Sequence, residues 1–198
     1  MVKYLTWLLL VAIAFGCALH TPPVGGPVRE NAHWRAKRFP IRIKALNTLG
    51  PCRVAKLTEA ADRWNQELAR AGAPVKAFIL QTVENLNRPR VGHLWVVPGV
   101  LSAFTEPRTL GSCKLGYYEG SAEIWTAVVT LSNKHCLFRT SAHELGHALG
   151  LRHAPRSCLG CIMRAEVPYH EGRLVDFGWL RRSELLYVIR QMGFSHRR

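Results

Sequence analysis

The chain has 198 residues, 48% hydrophobic and 20% charged, with 27 Lys and Arg against 13 Asp and Glu for a formal net charge of +14. That length and apolar content support one domain with its own core and exclude an intrinsically disordered chain. The charge suits an anionic partner (an acidic protein, nucleic acid, lipopolysaccharide or an anionic membrane) or simply a soluble surface; because the basic residues are scattered and carry no recognition motif, no specific nucleic acid is expected.

Residues 1–16 have the layout of an export signal. Lys3 gives a positive start, and residues 4–15 are apolar and uncharged. The run falls short of the roughly 20 residues a membrane-spanning helix needs. It ends Ala14-Phe15-Gly16-Cys17, which resembles the lipobox of bacterial lipoproteins, although Ala14 and Phe15 stand where Leu and a small residue are usual. The resemblance implies lipid on Cys17 and anchoring in a bacterial cell envelope. Ordinary cleavage after Ala18, giving a periplasmic or secreted protein, is the alternative. Residues 17–33 carry Pro22, Pro23, Gly25, Gly26 and Pro27 and read as a flexible tether, which leaves 34–198 as the folded domain.

Within the domain, residues 39–43 alternate apolar and polar and predict a first strand. Leu57, Ala60, Ala61, Trp64, Leu68 and Ala71 recur at helical spacing, and Gly72 ends that run. Residues 75–80 and 91–97 are short apolar runs suited to buried strands, the second closed by Pro98-Gly99. Residues 115–118 and 122–131 flank Glu119-Gly120-Ser121 and predict a hairpin. Ser132 or Asn133 is expected to cap the next helix, whose apolar stripe is Phe138, Ala142, Leu145 and Leu149. A final helix should hold Leu180, Leu185, Leu186, Val188, Ile189 and Met192 and end at Gly193.

Residues 143–153 read His-Glu-Leu-Gly-His-Ala-Leu-Gly-Leu-Arg-His. On a helix, His143 and His147 share one face and can bind the same ion. Glu144 lies about 100° further round, where it reaches a water beside that ion without ligating it. Gly150 tolerates the left-handed conformation that ends a helix, so the chain can return His153 as a third ligand. Three protein ligands leave an open position, the mark of a catalytic rather than a structural zinc site.

This H-E-x-x-H-x-x-G-x-x-H string, with Met163 following, resembles the metzincin zinc metallopeptidases, most closely the small matrixin-like members. The resemblance implies an α+β zincin fold: a mixed, twisted sheet of about five strands, an active-site helix and a C-terminal helix. It implies one catalytic Zn2+ on His143, His147 and His153, with Met163 in a turn that forms an apolar floor beneath them. Glu144 would take the proton of an activated water and pass it to the leaving amine, making the chain a peptide-bond hydrolase. The substrate, a protein or peptide, would lie along a free edge strand at about residues 114–119, with one pocket shaped by residues 164–173. The Tyr that astacin-like relatives carry two residues after the Met is replaced by Ala165, and Tyr169 is unplaced. A calcium loop is absent, and His93 and His135 read as surface or core histidines.

The chain has six cysteines. With lipid on Cys17, Cys52, Cys113, Cys136, Cys158 and Cys161 remain, an odd set that leaves at least one unpaired. Export favours disulfides. Cys113 and Cys136 flank the hairpin and could clip across it. Cys158 and Cys161 could form a short disulfide or half of a second zinc site; no Cys follows position 161, so the disulfide is the reading. Cys52 as a thiolate capping the zinc lacks the expected inhibitory motif. A monomer is expected. Two alternatives stay open: a zinc amidase acting on cell-wall peptides, and a non-enzymatic basic lipoprotein that binds an anionic partner.

Overall fold

The computed structural model describes residues 28–85, 91–99, 110–155, 157, 158, 161–165, 169, 170, 173, 174 and 181–194. Its strands are β1 (His33–Trp34), β2 (Ile41–Leu46), β3 (Phe78–Val83), β4 (His93–Pro98), β5 (Gly111–Tyr117) and β6 (Glu123–Leu131), with a separate pair β7 (Tyr169–His170) and β8 (Arg173–Leu174). Its helices are α1 (Pro51–Arg70), α2 (Phe138–Ala148) and α3 (Arg182–Gln191). The main sheet runs β5-β6-β4-β2-β3, with the short β1 also on β6. All its pairings are parallel except β5 with β6. The described residues therefore form a mixed α/β arrangement of a mostly parallel sheet and three α-helices.

Alternation explains which face is covered. Ile41, Ile43 and Ala45 are fully buried, while Arg42 between them is exposed. α1 and α2 pack on each other and on the sheet. Leu57, Ala60, Ala61, Trp64 and Leu68 form the buried stripe of α1, as the spacing predicts. Each fully buried Leu of this set contributes roughly 1.5–3 kcal/mol. Trp64 also donates its indole N–H to the carbonyl of Ala142 at 2.9 Å, which fixes α1 against α2.

Several boundaries differ from expectation for local reasons. α1 starts earlier than its apolar stripe, because Gly50 (φ +80°) and Pro51 at the first helical position set its entry. β3 lies further along than residues 75–80: Val75 is 42% exposed, and the side-chain oxygen of Asn65 on α1 accepts from the N–H groups of Ala77 and Phe78. β5 begins at Gly111, four residues before the expected hairpin arm. Neither Ser132 nor Asn133 caps α2; Leu137 stands at that position without a side-chain cap, and Ser132 instead accepts from the N–H of Lys134 in a turn. Part of residues 28–33, read as tether, is held against the domain: Ala32 is fully buried and Arg29 donates to the carbonyl of Ser121 at 2.6 Å, while residues 29–31 are exposed. α3 buries Leu185, Val188 and Ile189 as expected, and Gly193 follows with φ +85°. Cys17 and Leu180 lie outside the described residues.

The expected Cys113–Cys136 clip is not formed. Cys136 pairs with Cys52 in the first turn of α1, with Cα atoms 6.1 Å apart. Cys113 is a free, partly buried thiol opposite Val129 in the β5–β6 ladder. The Cys158–Cys161 disulfide is present.

Candidate metal centre

α2 is buried nearly all round, and it separates two tasks by face. Ala142 and Leu145 pack into the core, while His143 and His147 project to one side. The helix ends where glycine permits. Gly150 has φ +88°, and a Cβ there would stand 2.2 Å from the carbonyl oxygen of Ala32. The N–H of Leu151 returns to the carbonyl of Gly146 at 3.0 Å, closing the turn that brings His153 back.

The ligand-capable atoms of His143, His147 and His153 all lie within 4.8 Å of one another, so this cluster could hold a metal ion. Backbone carbonyls set the tautomers. His143 Nδ1–H donates to the carbonyl of Ile162 at 2.7 Å, and His147 Nδ1–H donates to the carbonyl of Leu151 at 2.7 Å. Both rings therefore present an Nε2 lone pair, the usual arrangement of an oriented ligand histidine. His147 Nε2 approaches His153 Nε2 to 3.0 Å. Two ring nitrogens that close need a proton or a cation between them.

Electrostatics favours the ligating form. Burial is the main cause that lowers His143 to about 4, with the nearby His153 and Arg139 adding to it against the Ile162 hydrogen bond. Burial likewise lowers His147 to about 3, helped by His143. His153 is lowered by burial as well. All three are neutral near pH 7.

Glu144 is 5% exposed and burial raises it to about 8. Among the described residues its Oε2 has no hydrogen-bond partner. A buried carboxylate oxygen without a partner is costly in a purely structural role and fits a group waiting for a ligand. Gly111 at the start of β5 lies against it: a Cβ there would stand 2.9 Å from Glu144 Cγ and 2.8 Å from Thr140 Cγ2.

No family model matches the chain. No curated protein matches it either.

The three histidines are thus brought together as their spacing predicts, and Glu144, the neighbour of His143 in sequence, is buried on the same helix. Met163 is fully buried, and its Sδ would lie 2.3 Å from a Cβ on Gly146, in the middle of the ligand helix. His93 on β4 and the exposed His135 are outside the cluster, and no other group of this kind occurs among the described residues. Ala165 is exposed; the side chain of Tyr169 and much of 164–173 are outside the described residues. Sequence reasoning missed Gly111, Gly146 and Arg139. The two glycines matter through close approach, which only the contact partner reveals. Arg139 carried a visible signal, a charge among the apolar and small residues that open α2.

Proposed function

We propose that the protein is a zinc-dependent endopeptidase of the metzincin type, matrixin-like, and that Glu144 is its general base. The observation that carries this reading is the convergence of His143, His147 and His153 on one point, from a helix that also carries the buried Glu144 carboxyl group. His143, His147 and His153 would hold the ion, and the all-nitrogen donor set suits zinc. Zinc bound there supplies Lewis acidity, which acidifies water and polarises a carbonyl.

The chain's own residues do the rest. Glu144 Oε2 accepts a proton from the attacking water and delivers it to the leaving amine nitrogen. Its desolvated setting makes it a strong acceptor once ionised. The carbonyls of Ile162 and Leu151 keep the His143 and His147 rings aligned throughout. β5 pairs with β6 alone among the described strands, and its other edge suits an extended peptide that adds as a further strand. The same reading has the chain exported and anchored through lipid on Cys17; two disulfides support an oxidising compartment.

The test is cleavage of a diverse peptide library by the purified protein, with and without a chelator, beside Glu144→Gln. Peptide cleavage that requires both metal and Glu144 is expected. A Glu144→Gln protein with full activity sinks the mechanism.

A further inference from the structure

Arg139 is 3% exposed in the first turn of α2, one turn before His143. A buried guanidinium is costly unless specific partners repay its desolvation. Packing of α2 does not call for one, since Ala142 and Leu145 supply the core contacts. One of its partners is the carbonyl of Cys161, which accepts from Arg139 Nη2 at 3.2 Å.

That carbonyl opens a short run whose next two residues contact the elements that carry the histidines. The carbonyl of Ile162 accepts from His143 Nδ1–H at 2.7 Å. The Met163 side chain fills the space left by Gly146 between His143 and His147. The Met163 carbonyl accepts from the N–H of Ala154, next to His153, at 2.8 Å. One backbone turn therefore orients the His143 ring directly and restrains the segment that carries His153. Its outer side is closed by the Cys158–Cys161 disulfide, and Arg181 Nε lies 3.1 and 3.2 Å from the two sulfurs. Arg139 is the inner tie, from the same helix that carries the ligands.

We propose that Arg139 is a positioning residue of the metal centre: its guanidinium fixes the backbone turn at residues 161–163 and, through the Ile162 carbonyl, the ring of His143. The inference rests on the metal-centre reading above and adds the element that holds the first ligand in register. The spacing supports it: residues 139 and 143 lie on the same helical face, so the guanidinium can brace the turn beneath the imidazole it orients.

The experiment compares wild type with Arg139→Met and Arg139→Gln. Zinc affinity is measured by competition with a chromophoric chelator, the visible spectrum is recorded with Co2+ in place of zinc, and circular dichroism of the chelated proteins checks the fold. Loss of a group bonded directly to a ligand histidine typically weakens metal binding by 10–100-fold, and Arg139 acts one link further out, so a loss at the low end, about 10-fold, is the measure. That loss is expected in both variants, with a changed Co2+ spectrum and a retained fold. A folded variant with wild-type affinity and an unchanged spectrum overturns the proposal. Failure of both variants to fold also overturns it, because Arg139 would then be a general scaffold residue. A wild type that binds neither ion removes the metal-centre reading, and this inference with it.

Discussion

Glu144→Gln should stabilise the metal-free protein, and the gain should grow with pH. In the unfolded chain this carboxyl titrates near 4.5; in the folded chain burial raises it to about 8. Between those values the unfolded form has released the proton and the folded form still holds it. Its contribution is therefore fully present below pH 4.5 and is lost as pH rises through 8. At about 1.36 kcal/mol per pH unit, the whole window corresponds to at most ~5 kcal/mol, and water entering the cleft should reduce this to roughly 2–3 kcal/mol. Gln has nearly the same shape and does not titrate, so it escapes the loss; any cost of burying its amide is independent of pH. The assay is urea unfolding in excess chelator at pH 5, 6.5 and 8.5, with equal m values required of the two proteins. The stability difference should move steadily in favour of Gln with pH. A difference that stays flat, or moves towards Glu, refutes the claim that Glu144 is buried without compensation.

The two helix histidines give the opposite slope. Their folded values of about 4 and 3 lie below the ordinary 6.5, so the metal-free Glu144→Gln protein should lose stability as pH falls from 6.5 towards 4; His143→Ala should flatten that loss in the same urea assay. Gly146→Ala places a Cβ 2.3 Å from Met163 Sδ and should cost roughly 1–3 kcal/mol, read as a lower midpoint in thermal unfolding. Replacing Cys52 and Cys136 together by Ser releases a link across 84 residues and should cost about 2–5 kcal/mol, seen as a lower urea midpoint than that of the oxidised wild type.

The layout was legible where side-chain periodicity alone decides it. The buried stripe of α1 from Leu57 to Leu68 and the positive φ of Gly150 follow from spacing and from glycine's freedom. So does the convergence of His143, His147 and His153, because i, i+4 geometry and one turn place all three. Positions that answer to a distant partner were not legible. β3 is registered by Asn65, thirteen residues before Phe78, and neither residue signals the other. Cys136 meets Cys52 rather than Cys113 because pairing depends on which elements the fold brings together, here the start of α1 and the loop before α2, not on flanking a hairpin. Proline and glycine at 22–27 speak only for themselves, whereas Ala32 is held by Gly150 and Tyr187, over a hundred residues away.

That early segment has a consequence for how the domain opens. The Trp34 indole donates to the carbonyl of Ala148 at 2.6 Å, Tyr187 donates to the carbonyl of Ala32 at 3.0 Å, and Ala32 lies against Gly150. Residues 32–34, the last turn of α2, the bend towards His153 and the final helix are therefore tied to one another, although the first of these lies more than a hundred residues from the others in sequence, and they are expected to open together. Fraying at residues 32–34 would release the bend behind His153. By the same linkage, an ion held at His153 would slow amide exchange at the start of the domain, and trimming the chain back to Trp34 would loosen the third ligand without touching it.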